Sequence, residues 1–329
     1  MALFDLPMSQ LETYAPAVAE PADFDAFWKS TLDEAAAGPQ ILVEVRPEPT
    51  DLRLVDTWQV TFTGFGGDPV NAWYTRPAGV DTALPAVVEY LGYGRGRGLP
   101  HDRLTWPVAG YAHLLMDSRG QGDQYGNGGD TPDPHVTAAG GPGPVTRGIG
   151  DPAEYYYRRL ITDAVRAVAA VRALPGVDPS RVVAAGNSQG GGLALAVAGL
   201  VDDLAAMIST VPFMCHWQRA IEITDAEPYG DVARYLAVHR DAEAAVRRTL
   251  SYFDGVTFAR RASAPAHFAV GLRDTVCPPS TVFAAYNHYG ADLPEPPRRE
   301  IHVYPFNGHE GGEAEQVRRQ LRWLRTIVG

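Results

Sequence analysis

Two hydrophobic patterns divide the chain near residue 80. Before it, Phe24, Phe27, Trp28 and Leu32 fall on one face of a 3.6-residue repeat, which predicts an amphipathic helix over 21–35 packed on something larger. Residues 41–76 then read as strands. Val55-Asp-Thr-Trp-Gln-Val-Thr-Phe and Val70-Asn-Ala-Trp-Tyr flank a Gly-Phe-Gly-Gly-Asp turn, which predicts an antiparallel hairpin at a sheet edge. From Pro85 onward the apolar runs become continuous, at 85–91, 111–116, 181–185, 205–211, 266–271 and 300–305, with helical stretches such as 155–174 and 190–201 between several of them. Uninterrupted apolar strands alternating with helices predict an α/β fold with a mostly parallel sheet covered on both faces. In such sheets ligands sit beyond the carboxyl ends of the strands.

Two segments stand outside this pattern. Residues 122–150 are rich in Gly, Pro and Asp and predict a long excursion; residues 213–260 carry helical patterns, including 241–253, and predict a small lid-like insertion between two core strands. The expectation is one domain over 1–329, with 1–80 supplying the N-terminal helix and edge strands.

Composition changes the picture only by exclusion. The chain is 45% hydrophobic and 20% charged, the balance of an ordinary globular enzyme. A formal net charge of −11 argues against nucleic acid as a partner, because phosphate binding needs a positive field. Lys29 is the only lysine among 28 basic residues and lies in the first predicted helix, which sets aside Schiff-base chemistry and pyridoxal phosphate. Two cysteines, Cys215 and Cys277, are too few for a disulfide framework or a thiolate zinc site, and no metal or other cofactor is expected. The opening Met-Ala-Leu-Phe-Asp-Leu-Pro lacks a positive segment followed by an apolar run, so the expected location is cytoplasmic. No run approaches the length of a membrane span.

The sharpest chemical signal is Gly186-Asn187-Ser188-Gln189-Gly190, a G-x-S-x-G pattern after the apolar run from Arg181 and before a helix of small residues. Strand, tight turn and helix are the context a serine nucleophile needs, since the turn exposes the hydroxyl and the helix N-terminus favours developing negative charge. A serine must lose its proton to a base. Of the later histidines, 216, 239, 267, 288, 302 and 309, His309 follows a strand-like run and sits in the loop Phe306-Asn-Gly-His-Glu-Gly, whereas His302 and His267 fall within strands. Asp274 closes the run Ala266–Arg273 and is the expected orienting acid; Asp292 lies in a later polar loop. For the oxyanion, the backbone N–H groups of Gln189 and of Tyr93, in the loop Gly92-Tyr93-Gly94, are the expected donors. Pro212 and Phe213 follow the run 205–211 and are expected to wall a small acyl pocket. Cys277 follows no glycine elbow and reads as a small packed hydrophobe.

Three motifs in order, Arg119-Gly120-Gln121, Gly186-Asn-Ser188-Gln189-Gly190 and His309-Glu310, resemble the acetyl xylan esterase and cephalosporin-C deacetylase family, carbohydrate esterase family seven of the α/β-hydrolase superfamily. Gly92-Tyr93-Gly94, Val145-Thr-Arg147-Gly148, Tyr155-Tyr156-Tyr157 and Arg273-Asp274-Thr-Val-Cys277-Pro-Pro extend the resemblance over nearly the whole chain. It implies metal-free removal of small acyl groups, chiefly acetyl, from xylo-oligosaccharides and cephalosporin C. It maps nucleophile, acid and base onto Ser188, Asp274 and His309, and oxyanion donors onto Gln189 and Tyr93. Arg119 and Gln121 fall on the family's fixed motif, read as scaffold for the rim. Residues 122–150 resemble the loop through which family members assemble into ring-like hexamers, implying a homo-oligomer. Asn187 and the basic pair Arg95 and Arg97 depart from the family pattern and bear on acyl and leaving-group preference. The competing readings are a general short-chain carboxylesterase, a peptidase of the same fold without its usual extra domain, and a non-catalytic binding protein on a hydrolase scaffold, which would have no reason to keep an intact triad.

Overall fold

The strands lie in one sheet in the computed structural model, which describes residues 3–38, 40–135 and 143–329. Among these residues they are β1 (Leu42–Pro47), β2 (Val55–Thr63), β3 (Pro69–Pro77), β4 (Leu84–Tyr90), β5 (Ala112–Met116), β6 (Val177–Asn187), β7 (Ala206–Thr210), β8 (Ala266–Gly271) and β9 (Arg299–Tyr304). Their order across the sheet is β1-β2-β3-β5-β4-β6-β7-β8-β9. Every pairing from β5 through β9 is parallel, and β1, β2 and β3 add antiparallel. This is the α/β-hydrolase arrangement expected from the sequence. The hairpin β2–β3 forms as the turn signal predicts, but it is not the edge: β1, mostly exposed, covers β2 on the outside.

Helices cover both faces. Tyr156–Ala173 and Gln189–Leu200 bury Leu160, Ile161, Val168, Leu193 and Leu195 on one side. On the other, Trp323 and Leu324 of the C-terminal helix Glu313–Val328 pack on Val87, Val183 and Ile208. Each fully buried aliphatic side chain contributes about 1.5–3 kcal/mol. Helix Gln189–Leu200 is apolar nearly all round because it lies wholly inside.

Residues 213–260 hold helices Trp217–Ile223, Tyr229–Val238, Glu243–Ser251 and Gly255–Arg261, all between β7 and β8. The N-terminal helix Phe24–Ala36 docks on this segment: Trp28 Nε1 donates to the Tyr252 carbonyl over 3.0 Å, and the Phe24 ring lies 5.4 Å from that of Phe258. Of the excursion at 122–150, residues 136–142 lie outside the described residues. Its first part is tied to the sheet by buried Asp117, whose carboxylate accepts from the N–H groups of Arg97, Ser118, Asp130 and Thr131 over 2.8–3.1 Å.

Parallel register lines up the carboxyl ends. Tyr90 pairs with Gly186, Gly186 with Ser209, Asn187 with Thr210, and Thr210 with Ala269. The segments that follow, carrying Tyr93, Ser188, Pro212 and Asp274, therefore share one rim.

Candidate active site

Ser188 occupies the tip of a turn that only small neighbours permit. A Cβ at Gly186 would lie 2.2 Å from the Gly190 backbone, and one at Gly190 would lie 2.0 Å from the Tyr90 carbonyl oxygen. Ser188 itself takes φ +58°, a strained conformation for a side-chain-bearing residue. The surroundings hold it there. Its N–H donates to the Thr210 carbonyl over 2.9 Å, and its carbonyl accepts from Gly192 and Phe213, each at 3.0 Å.

The hydroxyl meets one histidine. Ser188 Oγ and His309 Nε2 are 2.9 Å apart, and His309 Nδ1 is 2.9 Å from Asp274 Oδ2. An ionised carboxylate only accepts, so Nδ1 carries the proton and Nε2 is left to accept from the serine. Asp274 is fully buried, and its other oxygen accepts from the N–H groups of Val276 and Cys277 at 2.8 and 2.9 Å. Among the described residues the other late histidines are placed elsewhere: His267 faces Gln316, and His288 bonds the Ala284 carbonyl. His302 lies against Tyr304, and Asp292 binds Arg260.

Cys277 is buried beside the nucleophile, with the Ser188 hydroxyl within hydrogen-bonding reach of its thiol. Burial, reinforced by the charge of Asp274, pushes that thiol up, which disfavours the thiolate a cysteine nucleophile requires.

Gln189 opens the helix Gln189–Leu200, so its backbone N–H has no acceptor within the helix. Its side chain closes a network: Gln189 Oε1 accepts from Gln121 Nε2 and from the Tyr157 hydroxyl, both at 2.9 Å, and Nε2 reaches the Leu91 carbonyl at 3.3 Å. Gln121 in turn accepts from the Gly94 N–H at 2.7 Å, next to Tyr93. Gln121 thus ties together the two segments that carry Gln189 and Tyr93. Arg119, two residues earlier, is fully buried between Asp163, at 2.5 Å, and Asp68, at 3.1 Å. The sequence marked Arg119 and Gln121 as scaffold; it did not show that Gln121 and Tyr157 meet Gln189, though Tyr155-Tyr156-Tyr157 was a visible cue.

Two expectations need correction. Phe213 has no solvent-facing surface: its ring packs 4.5 Å from Tyr229, 5.0 Å from Trp217 and 6.4 Å from Tyr93, so it is a core side chain of this cluster and not an open rim wall. Pro212 is also buried. Arg97 does not make the loop basic, because it is buried, paired with Asp130 at 2.6 Å and stacked 4.0 Å from the Trp73 ring. Arg95 remains exposed.

A mostly parallel α/β sheet with a strained serine elbow and a serine–histidine–aspartate relay on its carboxyl rim defines a serine hydrolase. Over residues 1–327 the chain matches the acetyl xylan esterase (AXE1) family, and it belongs to that family. An acetyl xylan esterase from Paenibacillus sp. R4 is 37% identical, with a TM-score of 0.91 over 98% of this chain and 100% of that one. Acetyl xylan esterase 1 from Thermoanaerobacterium sp. JW/SL YS485 is 30% identical, with a TM-score of 0.87 over 99% and 100% of the two chains. Acetyl esterase Axe7A of Xylanibacter ruminicola is 28% identical over 323 residues, 96% of this chain and 70% of that protein.

Proposed function

We propose that the protein removes acetyl groups from acetylated xylo-oligosaccharides, with Ser188 as nucleophile, His309 as general base and acid, and Asp274 as the group that orients His309. The observation that carries this reading is the unbroken relay from Ser188 Oγ to His309 Nε2 and from Nδ1 to Asp274, at 2.9 Å in both steps. Ser188 Oγ attacks the ester carbonyl as its proton passes to Nε2, and the oxyanion is held by the N–H groups of Gln189 and Tyr93. Collapse expels the sugar oxygen, which takes the proton from His309 and leaves an acetyl-enzyme. Water, deprotonated by His309, then releases acetate and restores the serine.

The names of the similar proteins support acetyl as the acyl group and xylan as the source of the alcohol. Deacetylation of cephalosporin C requires the same steps and belongs to the same proposal. So does assembly into a homo-oligomer, a hexamer by family resemblance, with the described parts of 122–150 contributing contacts. The test is acetate release from acetylated xylobiose, measured beside hydrolysis of p-nitrophenyl acetate; failure on the sugar ester with activity on the phenyl ester would favour a general short-chain carboxylesterase.

A further inference from the structure

Beside the triad lies a cavity of about 530 Å³, within the range of small-molecule sites. It is bounded by the loop after β4, residues 125–127, the ends of β6 and β7 and the C-terminal helix. It touches Asn187, the residue before the nucleophile, and Glu310, the residue after the base. The cavity therefore adjoins the segments that carry Ser188 and His309.

Most charged groups in its walls are satisfied by other protein groups. Arg103 pairs with Glu89 at 2.5 Å, and Arg97 with Asp130 at 2.6 Å. The Glu310 carboxylate accepts from the Asn307 side chain at 2.8 Å and the Gly308 N–H at 2.9 Å. Several polar side chains are left over, Arg95 and Asn187 among them. Among the described residues, neither the Arg95 guanidinium nor the Asn187 carboxamide has a hydrogen bond or ion pair; Arg95 lies only over the ring of exposed Tyr125, at 5.3 Å. Both residues pass close to Gly92: a Cβ there would lie 3.8 Å from Arg95 Cδ and 3.9 Å from the Asn187 backbone carbonyl oxygen.

Resting on the reading above, we infer that this cavity is the leaving-group subsite, taking the pyranose ring whose acetyl group Ser188 accepts, with Arg95, Asn187 and Tyr125 as its recognition groups. Guanidinium and carboxamide are planar, with donors at fixed spacing suited to adjacent sugar hydroxyls. Tyr125 offers an aromatic face for the C–H side of the ring. The subsite is tied to the reacting centre through the chain, because Asn187 precedes the nucleophile and Glu310 follows the base.

Arg95→Ala and Asn187→Ala, compared on acetylated xylobiose and p-nitrophenyl acetate, test this, since the two substrates share acyl group and triad and differ only in the alcohol. The ratio of kcat/KM on the sugar ester to that on the phenyl ester should fall about tenfold in each variant, chiefly through KM on the sugar ester. Xylobiose, as a competitive inhibitor of p-nitrophenyl acetate hydrolysis, should weaken in parallel. Both side chains are exposed, so the melting temperature should stay that of the parent. Parent-like ratios and parent-like inhibition in both variants would overturn the subsite and leave the esterase reading intact. A parent enzyme that cleaves only the phenyl ester would instead overturn the sugar-ester reading, and the subsite with it.

Discussion

Gln121 donates through Nε2 to Gln189 Oε1 over 2.9 Å, while its own Oε1 accepts from the Gly94 N–H over 2.7 Å. One buried amide thus spaces the two segments whose N–H groups are proposed to hold the oxyanion. Gln121→Ala should lower kcat by about tenfold or more with little change in KM, because transition-state stabilisation depends on donor placement while substrate contacts remain. Steady-state kinetics on p-nitrophenyl acetate checks this; a rise in KM with kcat preserved would make Gln121 a substrate-binding group instead.

Acid should destabilise the fold through two buried histidines. Burial, aided by the charge of Arg219, lowers His216 to about 4, and burial, aided by His302 and Arg319, lowers His267 to about 4. The unfolded chain binds these protons near pH 6.5, so it takes up more protons than the folded one between roughly pH 6.5 and 4. Their contribution is present above pH 6.5 and is lost as pH falls through 4. The melting temperature should drop by roughly 5 °C or more between pH 7 and 4.5, and less in His267→Gln. Constant or rising stability over that interval would contradict this account.

A small acyl site is proposed, because Pro212, Phe213 and Cys277 are all buried and leave no open channel among themselves for a long chain. Acetyl and propionyl esters should be favoured, with kcat/KM falling steeply by hexanoyl. Phe213→Ala should cost about 3–5 kcal/mol of stability, as expected for a ring inside an aromatic cluster. A p-nitrophenyl ester series reads the preference and thermal unfolding reads the cost. Octanoyl esters as good as acetyl would remove the small-pocket proposal.

Assembly is read directly by light scattering at micromolar concentration. The proposal expects several copies per particle, six by family resemblance, and a strict monomer would contradict it.

Much of the site is legible in sequence because its constraints are local. Gly186 is dictated by a backbone contact within its own turn, and Asp274 and His309 follow apolar runs that become β8 and β9; Gly190, which faces the Tyr90 carbonyl of the neighbouring strand, is legible only through the motif. What sequence does not show depends on partners far along the chain. Arg97 reads as a free charge until Asp130, 33 residues later, neutralises it. Phe213 reads as a rim residue until helices Trp217–Ile223 and Tyr229–Val238 enclose its ring. The edge position of β1 was hidden for a different reason: it carries Leu42, Val43 and Val45, so it reads like an inner strand although both valines are exposed. Gln121 and Gln189 are 68 residues apart, and nothing in either segment announces the other.

The central claim, that Ser188 becomes acylated, is tested most directly by mass spectrometry of the enzyme after reaction with a fluorophosphonate, beside the kinetics of Ser188→Ala. The label should sit on the peptide carrying Ser188 and be absent from the one carrying Cys277, and Ser188→Ala should lose nearly all kcat, by a factor of roughly 10⁶ if it behaves like other serine triads. Labelling at Cys277, or retained esterase activity in Ser188→Ala, would contradict the account.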